Sequence, residues 1–414
     1  MKLLSIVAVV VAIAITLVAP PARADEPALD PLLCQGDFLT VDEGAAMLAK
    51  RLAETPTRAA WEAYAAHVRE CILRGADLEP LPRRIPLNVI TRNKRTHGGY
   101  NGYTVENVAF ETVPGYYAAC NLYRPTNADG PTPVVLCPVG HWGDSRFNPM
   151  VQIRCAMLAK MGATAMSIGM FGWGSSPDQA VQRIHVRPLA LTMQTWSNMR
   201  ALDYLLSLDG VDPKRVGVTG ASGGGTQTFL LTALDDRVRV SVPVVMVSSH
   251  MFGGCLCESG KPIHRSAEHF TNNAEIAAMA APRPMLVVSD GGDWTASVPD
   301  VELPFIRKIY ALFGAEGNIE GVHFPNEGHD YGPSKRKAMY RFMAARLGLD
   351  LAKIQDAAGQ IDESGVVVED IPTMQVFDAS HPFPKDVCRS LEEIEASLKS
   401  MQAEALRQQS AGNR

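Results

Sequence analysis

Residues 215–231 read RVGVTGASGGGTQTFLL, and within them Gly220-Ala221-Ser222-Gly223-Gly224 matches G-x-S-x-G. The β-branched residues before the motif predict a strand, and the apolar stretch after it predicts a helix. A serine between the two sits at the apex of a tight turn that squeezes together the residues two before and two after it, where glycine alone fits. The turn lifts the hydroxyl clear of the sheet at a helix N-terminus, where free N–H groups favour developing negative charge. By itself the pattern is weak, since 22 serines and 34 glycines among 414 residues give ~0.15 such matches by chance. A phosphate loop is the rival, but neither G-x-x-x-x-G-K-[ST] nor G-x-G-x-x-G opens a helix here.

A serine hydroxyl needs a base, and in this arrangement a carboxylate and then a histidine follow it in the chain. FPNEGHDYG supplies His329 after the last predicted strand, whereas His250, His264 and His323 read as structural or solvated. For the acid, RPMLVVSDGGDWT offers Asp293, a few residues past a strand end, with Asp290 close behind it as a turn residue. Glu258, in CLCESG on the preceding loop, is a third candidate. An oxyanion needs two N–H donors: Gly223, and either His141 or Trp142 from the loop CPVGHWGDS. Such a triad activates its own nucleophile, so no metal and no organic cofactor is expected. The pair Cys255 and Cys257 is no zinc signature, because C-x-C lacks a second ligand pair at suitable spacing.

The elements that must position these groups alternate in a βα rhythm. Short apolar runs at TPVVLCPV, ATAMSIGMF, RVGVTG, VRVSVPVVMV, RPMLVVSD and NIEGVHFP are separated by helical patterns such as QTWSNMRALDYLLSL, with Trp196, Met199, Leu202 and Leu206 on one face. This predicts an α/β class with a mostly parallel sheet covered on both faces. YTVENVAFETVPGYYAACNLYRP predicts an antiparallel hairpin about Pro114-Gly115. Alanine-rich stretches before Thr96 predict a small helical N-terminal region, and SLEEIEASLKSMQAEALRQQ a terminal helix. The expected divisions are 1–24 signal peptide, 25–98 helical region, 99–349 catalytic domain and 350–414 C-terminal extension. Residues 255–273 are expected to lie over the site.

Lys2, an apolar run from Leu3 to Val18 and the triplet Ala22-Arg23-Ala24 suggest an export signal, and hence a periplasmic or extracellular protein with no membrane anchor after cleavage. Cleavage would remove Lys2 and Arg23 and take the formal charge from −5 to −7, which disfavours nucleic acid as a partner. Eight cysteines would permit disulfides in that compartment, with Cys34 and Cys71 as one candidate pair and Cys137 and Cys155 as buried thiols.

With these motifs together, Tyr103 to Leu349 resembles the α/β-hydrolase superfamily, in the acetyl xylan esterase-like and dienelactone hydrolase-like branch near prolyl oligopeptidases. The resemblance implies two-step acyl transfer, with Ser222 as nucleophile, His329 as base and Asp293 orienting the imidazole. Its expected substrate is an ester on plant polysaccharide. Glucuronoyl esterases look similar but place an arginine directly after the nucleophile, where this chain has Gly223. Their acid in some members corresponds to Glu258. A small-molecule carboxylesterase is a further alternative, and a non-catalytic binding protein on the same fold is the alternative of another class. The roughly 75 residues before Tyr103 are too few for a peptidase propeller, whose single blade takes about 40 to 50.

Overall fold

A computed structural model describes residues 34–173 and 179–412; the expected export signal lies outside the described residues. Nine strands form one sheet: β1 Ile90–His97, β2 Tyr103–Val113, β3 Tyr116–Pro125, β4 Thr132–Pro138, β5 Thr164–Ile168, β6 Val211–Ala221, β7 Val240–Val244, β8 Met285–Asp290 and β9 Ile319–Phe324. Their spatial order is β9-β8-β7-β6-β4-β5-β3-β2-β1. From β9 to β5 all neighbours are parallel, and from β5 to β1 all are antiparallel. The six apolar runs supply β4 to β9, and the expected hairpin is β2 and β3, turning at Gly115 with φ +82°. Every residue of β4, β5, β7 and β8 is buried, as a sheet covered on both faces requires.

Helix Leu189–Ser207, between β5 and β6, buries almost every residue from Leu189 to Leu205, so the single apolar face expected for it was too narrow a reading. Two N-terminal helices, Val41–Glu54 and Arg58–Gly75, dock through Trp61, edge-on to Phe305, and through Arg51, which donates to the buried Glu275 carboxylate at 3.1 Å. The expected helical region therefore gives way to strand at β1. ITRNKRTH has no apolar face because β1 is an exposed edge strand held by its ladder to β2.

Chain beyond residue 349 covers the antiparallel half of the sheet. Val376, Phe377 and Val387 pack on Ala109, Tyr117 and Ala119, and Asn107 donates to the carbonyls of Thr373 at 2.9 Å and Gln375 at 2.7 Å. Glu369 takes Arg95 in a tight ion pair and lies 2.8 Å from His97 Nε2. Helix Leu391–Gly412 closes the chain as expected. All eight cysteines are free thiols, so the expected Cys34–Cys71 bridge is not formed; Cys71 Sγ instead faces His67 Nε2 at 3.6 Å. Cys137 and Cys155 are fully buried.

Candidate active site

In the sheet β4 lies between β6 and β5, so the strand order reverses beside it. At such a reversal the connections leave in opposite directions and open a crevice at the carboxyl ends of the strands. Ser222 stands there, directly after β6, at φ 58° and ψ −129°. That backbone is strained for a residue with a side chain, and local bonds hold it: Ser222 N donates to Val244 O at 3.2 Å, and Gly225 N to Ser222 O at 2.7 Å. The need for glycine is steric. A Cβ on Gly220 would sit 2.5 Å from Gly224 O and 2.6 Å from Pro138 O, and one on Gly224 would sit 2.6 Å from the same Pro138 carbonyl.

The loops after β8 and β9 leave the sheet side by side, because those strands pair in register up to Asp290 and Phe324. They also touch backbone to backbone: a Cβ on Gly291 would meet Pro325 O at 2.2 Å, and one on Gly292 would meet Glu327 O at 2.8 Å. This close approach brings Asp293 and His329 together, with Asp293 Oδ2 2.6 Å from His329 Nδ1. Asp293 Oδ1 accepts from both the N–H and the hydroxyl of Thr295, each at 2.6 Å. The carboxylate side chain is 3% exposed and the imidazole 28%, so the pair is shielded from below and open toward the crevice. The His329 ring stands beside those of Trp142 and Trp294, at centroid distances of 6.4 Å and 4.6 Å.

The other two candidate acids have different partners. Asp290 Oδ2 lies 3.0 Å from Lys335 Nζ, both side chains being fully buried. Burial pushes the Asp290 carboxyl up, against the pull of the Lys335 ammonium. Lys335 also donates to Gly328 O at 2.6 Å and to Asp330 Oδ1 at 2.8 Å, gripping the residues on both sides of His329. Glu258 accepts from Cys255 N at 3.0 Å and places Oε1 3.9 Å from His141 Nδ1; burial raises its carboxyl too. It makes no bond to His329.

Gly223 N–H, in the first turn of helix Gly223–Leu234, points from the end where helical N–H groups lack acceptors. Of the two loop donors, Trp142 N–H already donates to Gly140 O at 2.9 Å, while among the described residues His141 N–H has no backbone acceptor. The His141 ring lies over Gly223, where a Cβ would come 2.7 Å from its Cε1, so a side chain directly after the serine would have to displace that ring.

In the segment 255–273, His264, His269, Thr271, Asn272 and Asn273 are buried and hydrogen-bonded, as in His264 Nε2 to Asn273 Oδ1 at 2.8 Å. The C-x-C pair has companions in space that its spacing does not show. His141 and His185, from two other loops, meet Cys255 and Cys257 so that four donor atoms lie within 4.8 Å of one another. Sequence reasoning passed over His185 because nothing in its neighbourhood repeats a ligand spacing.

Fold and site together define an α/β-hydrolase. A family profile described as "Glucuronyl esterase, fungi" matches residues 186–257, the stretch from helix Leu189–Ser207 through Ser222 to Cys257. The solved structure of Methylesterase BT1017 is 39% identical, with 90% of this chain and 82% of that one covered at a TM-score of 0.81. A curated 4-O-methyl-glucuronoyl methylesterase of Neurospora crassa is 25% identical over 41% of this chain and 49% of its own length. A glucuronoyl esterase from Solibacter usitatus shares the fold at a TM-score of 0.51 and 18% identity, over 67% of this chain and 91% of that one. The chain belongs to the family of α/β-hydrolase esterases represented by Methylesterase BT1017, and is a carboxylic ester hydrolase.

Proposed function

We propose that the chain hydrolyses a methyl ester formed by the carboxyl group of a sugar residue, using Ser222, His329 and Asp293. The observation that carries the catalytic part is the strained Ser222 at the sheet's reversal point, with an Asp293–His329 pair held at 2.6 Å on neighbouring loops. In this reading His329 Nε2 takes the Ser222 proton as the hydroxyl oxygen attacks the ester carbonyl. Asp293 fixes the proton on Nδ1 and so leaves Nε2 free to accept. The N–H groups of Gly223 and His141 receive the oxyanion. Collapse expels methanol, protonated by His329, and leaves the sugar acid esterified to Ser222. Water, deprotonated in turn by His329, attacks that acyl-enzyme and releases the carboxylate.

Two observations favour a sugar and a methyl leaving group. Trp142 and Trp294 are half-exposed with their rings beside His329, and the half-exposed Trp173 joins them through its Nε1, which donates to Trp142 O at 2.9 Å. The apolar faces of sugar rings pack on such indoles. The relative that covers nearly the whole chain is named a methylesterase, and the curated Neurospora protein a 4-O-methyl-glucuronoyl methylesterase. The acetyl ester that the acetyl xylan esterase-like resemblance suggests has a likeness at the level of fold, a Bacteroides fragilis structure described as a "putative acetyl xylan esterase" at 17% identity.

Methanol and acetate released from a methyl-esterified polyuronate, a methyl glucuronate ester and acetylated xylan separate the readings, with wild type and Ser222→Ala run in parallel. Methanol without acetate is expected, and loss of up to ~10⁶ in kcat in the variant. Acetate as the main product would reject the methyl ester, and wild-type turnover in Ser222→Ala would reject the nucleophile.

A further inference from the structure

The four side chains gathered behind the oxyanion loop have no part in acyl transfer, yet their geometry is specific. His141 Nε2 lies 3.1 Å from His185 Nε2 and 3.2 Å from Cys257 Sγ. Cys255 completes the group, all four donor atoms falling within 4.8 Å of one another. Tetrahedral zinc bonds of about 2.0–2.1 Å to nitrogen and about 2.3 Å to sulfur place neighbouring donors roughly 3.3 to 3.8 Å apart, close to these separations. The other ring nitrogens point away. His185 Nδ1 is 2.6 Å from Phe171 O, which fixes its proton there and leaves the Nε2 lone pair facing the cluster. His141 Nδ1 faces the buried Glu258 carboxylate. An oxygen behind each imidazole is the outer shell that metal-bound histidines use to set their orientation.

From this geometry we infer that His141, His185, Cys255 and Cys257 bind one transition-metal ion, zinc by donor set and geometry. Two thiolates would balance the charge of a divalent ion. Four protein donors leave no open position, so the ion is structural and performs no step on the ester. Its effect is positional, because the ligands come from three separate connections: His141 from the loop after β4, His185 from the segment after β5, and the cysteines from the loop after β7. The ion ties these together at the reversal point of the sheet. It locks the His141 ring over Gly223 and with it the backbone N–H beside Ser222. A half-exposed Cys255 and a His141 side chain 21% exposed leave a way in for the ion.

The test begins with metal content of the full chain purified without chelator, measured by plasma mass spectrometry. About one zinc per chain is expected, falling at least tenfold in His185→Ala and in Cys255→Ser/Cys257→Ser. Cobalt exchanged into wild type should show the intense visible bands of a tetrahedral ion with sulfur-to-cobalt charge transfer, a readout that stands even if the variants fail to fold. Ser222→Ala should keep full metal content while losing hydrolysis, so failure of the ester reading leaves the metal result intact. Wild type that is metal-free and takes up neither zinc nor cobalt would overturn the site. So would a peptide two hydrogens lighter, showing a Cys255–Cys257 disulfide, or variants that retain the ion.

Discussion

Two histidine–carboxylate pairs stand at the same end of the sheet, and their difference lies in what faces Nε2. In His329–Asp293 the Nδ1 contact is short, 2.6 Å, and the ring, 28% exposed, has two tryptophan rings beside it. In His141–Glu258 the Nδ1 contact is 3.9 Å, and Nε2 is met by His185 and Cys257. Both are an imidazole backed by a carboxylate at the same end of the sheet, yet the proposal has one carry a proton and the other held at a fixed point. The carboxylate behind a histidine sets its tautomer; what lies ahead of it decides its work.

The comparison breaks most sharply if the two carboxylates are neutralised one at a time. Asp293→Asn leaves the shape but lets the imidazole take the wrong tautomer, so kcat should fall by roughly 10⁴ with KM little changed. Glu258→Gln should leave kcat within a few-fold of wild type at saturating zinc, while zinc affinity falls by about 10 to 100-fold. Steady-state kinetics on one methyl ester, with metal titrations beside them, read both arms. A reversed pattern, with kcat lost in Glu258→Gln and kept in Asp293→Asn, would exchange the roles of the two pairs.

A second break targets the contact between the regions. In Gly223→Ala the new Cβ would lie 2.7 Å from His141 Cε1 and 3.0 Å from Met170 Cε. Overpacking should cost about 1–3 kcal/mol of stability, and displacing the oxyanion loop roughly 10²-fold in kcat. Thermal unfolding and kinetics check the two effects. An unaltered kcat would mean that the loop around His141 does not serve the oxyanion.

The half of the molecule that holds the proposed triad is the more legible in sequence, for a physical reason. Ser222, Asp293 and His329 each follow a parallel strand, fully buried before Asp293 and buried over its second half before Ser222, and such strands announce themselves as apolar runs with glycines where their loops touch, as at Gly291 and Gly292. The metal cluster carries no such mark. His141 is 44 residues from His185 and 116 from Cys257, so only the sheet order brings them together. The same holds for β1, whose polar sequence makes sense only once β2 lies beside it. Glu258 and Asp290 were both plausible acids by loop position, because spacing cannot tell which carboxylate already has a partner. Asp290 has Lys335, and Glu258 caps the backbone at Cys255.

The smallest effect should come from Thr295, which separates a bond that orients the acid from a residue that merely fills space. Its buried hydroxyl accepts from Asp290 N at 3.1 Å and donates to Asp293 Oδ1 at 2.6 Å, linking the end of β8 to the far oxygen of the acid. Thr295→Val keeps the shape and the backbone N–H bond to the same oxygen but removes the hydroxyl. Loss of one hydrogen bond to a carboxylate that keeps another is worth about 1 kcal/mol, roughly fivefold in kcat, with KM and zinc content unchanged. The glutamate pair offers the control, since nothing at Thr295 touches His141. If zinc content moved with Thr295→Val, the two histidine–carboxylate pairs would be mechanically coupled across the crevice and could not be treated as separate devices.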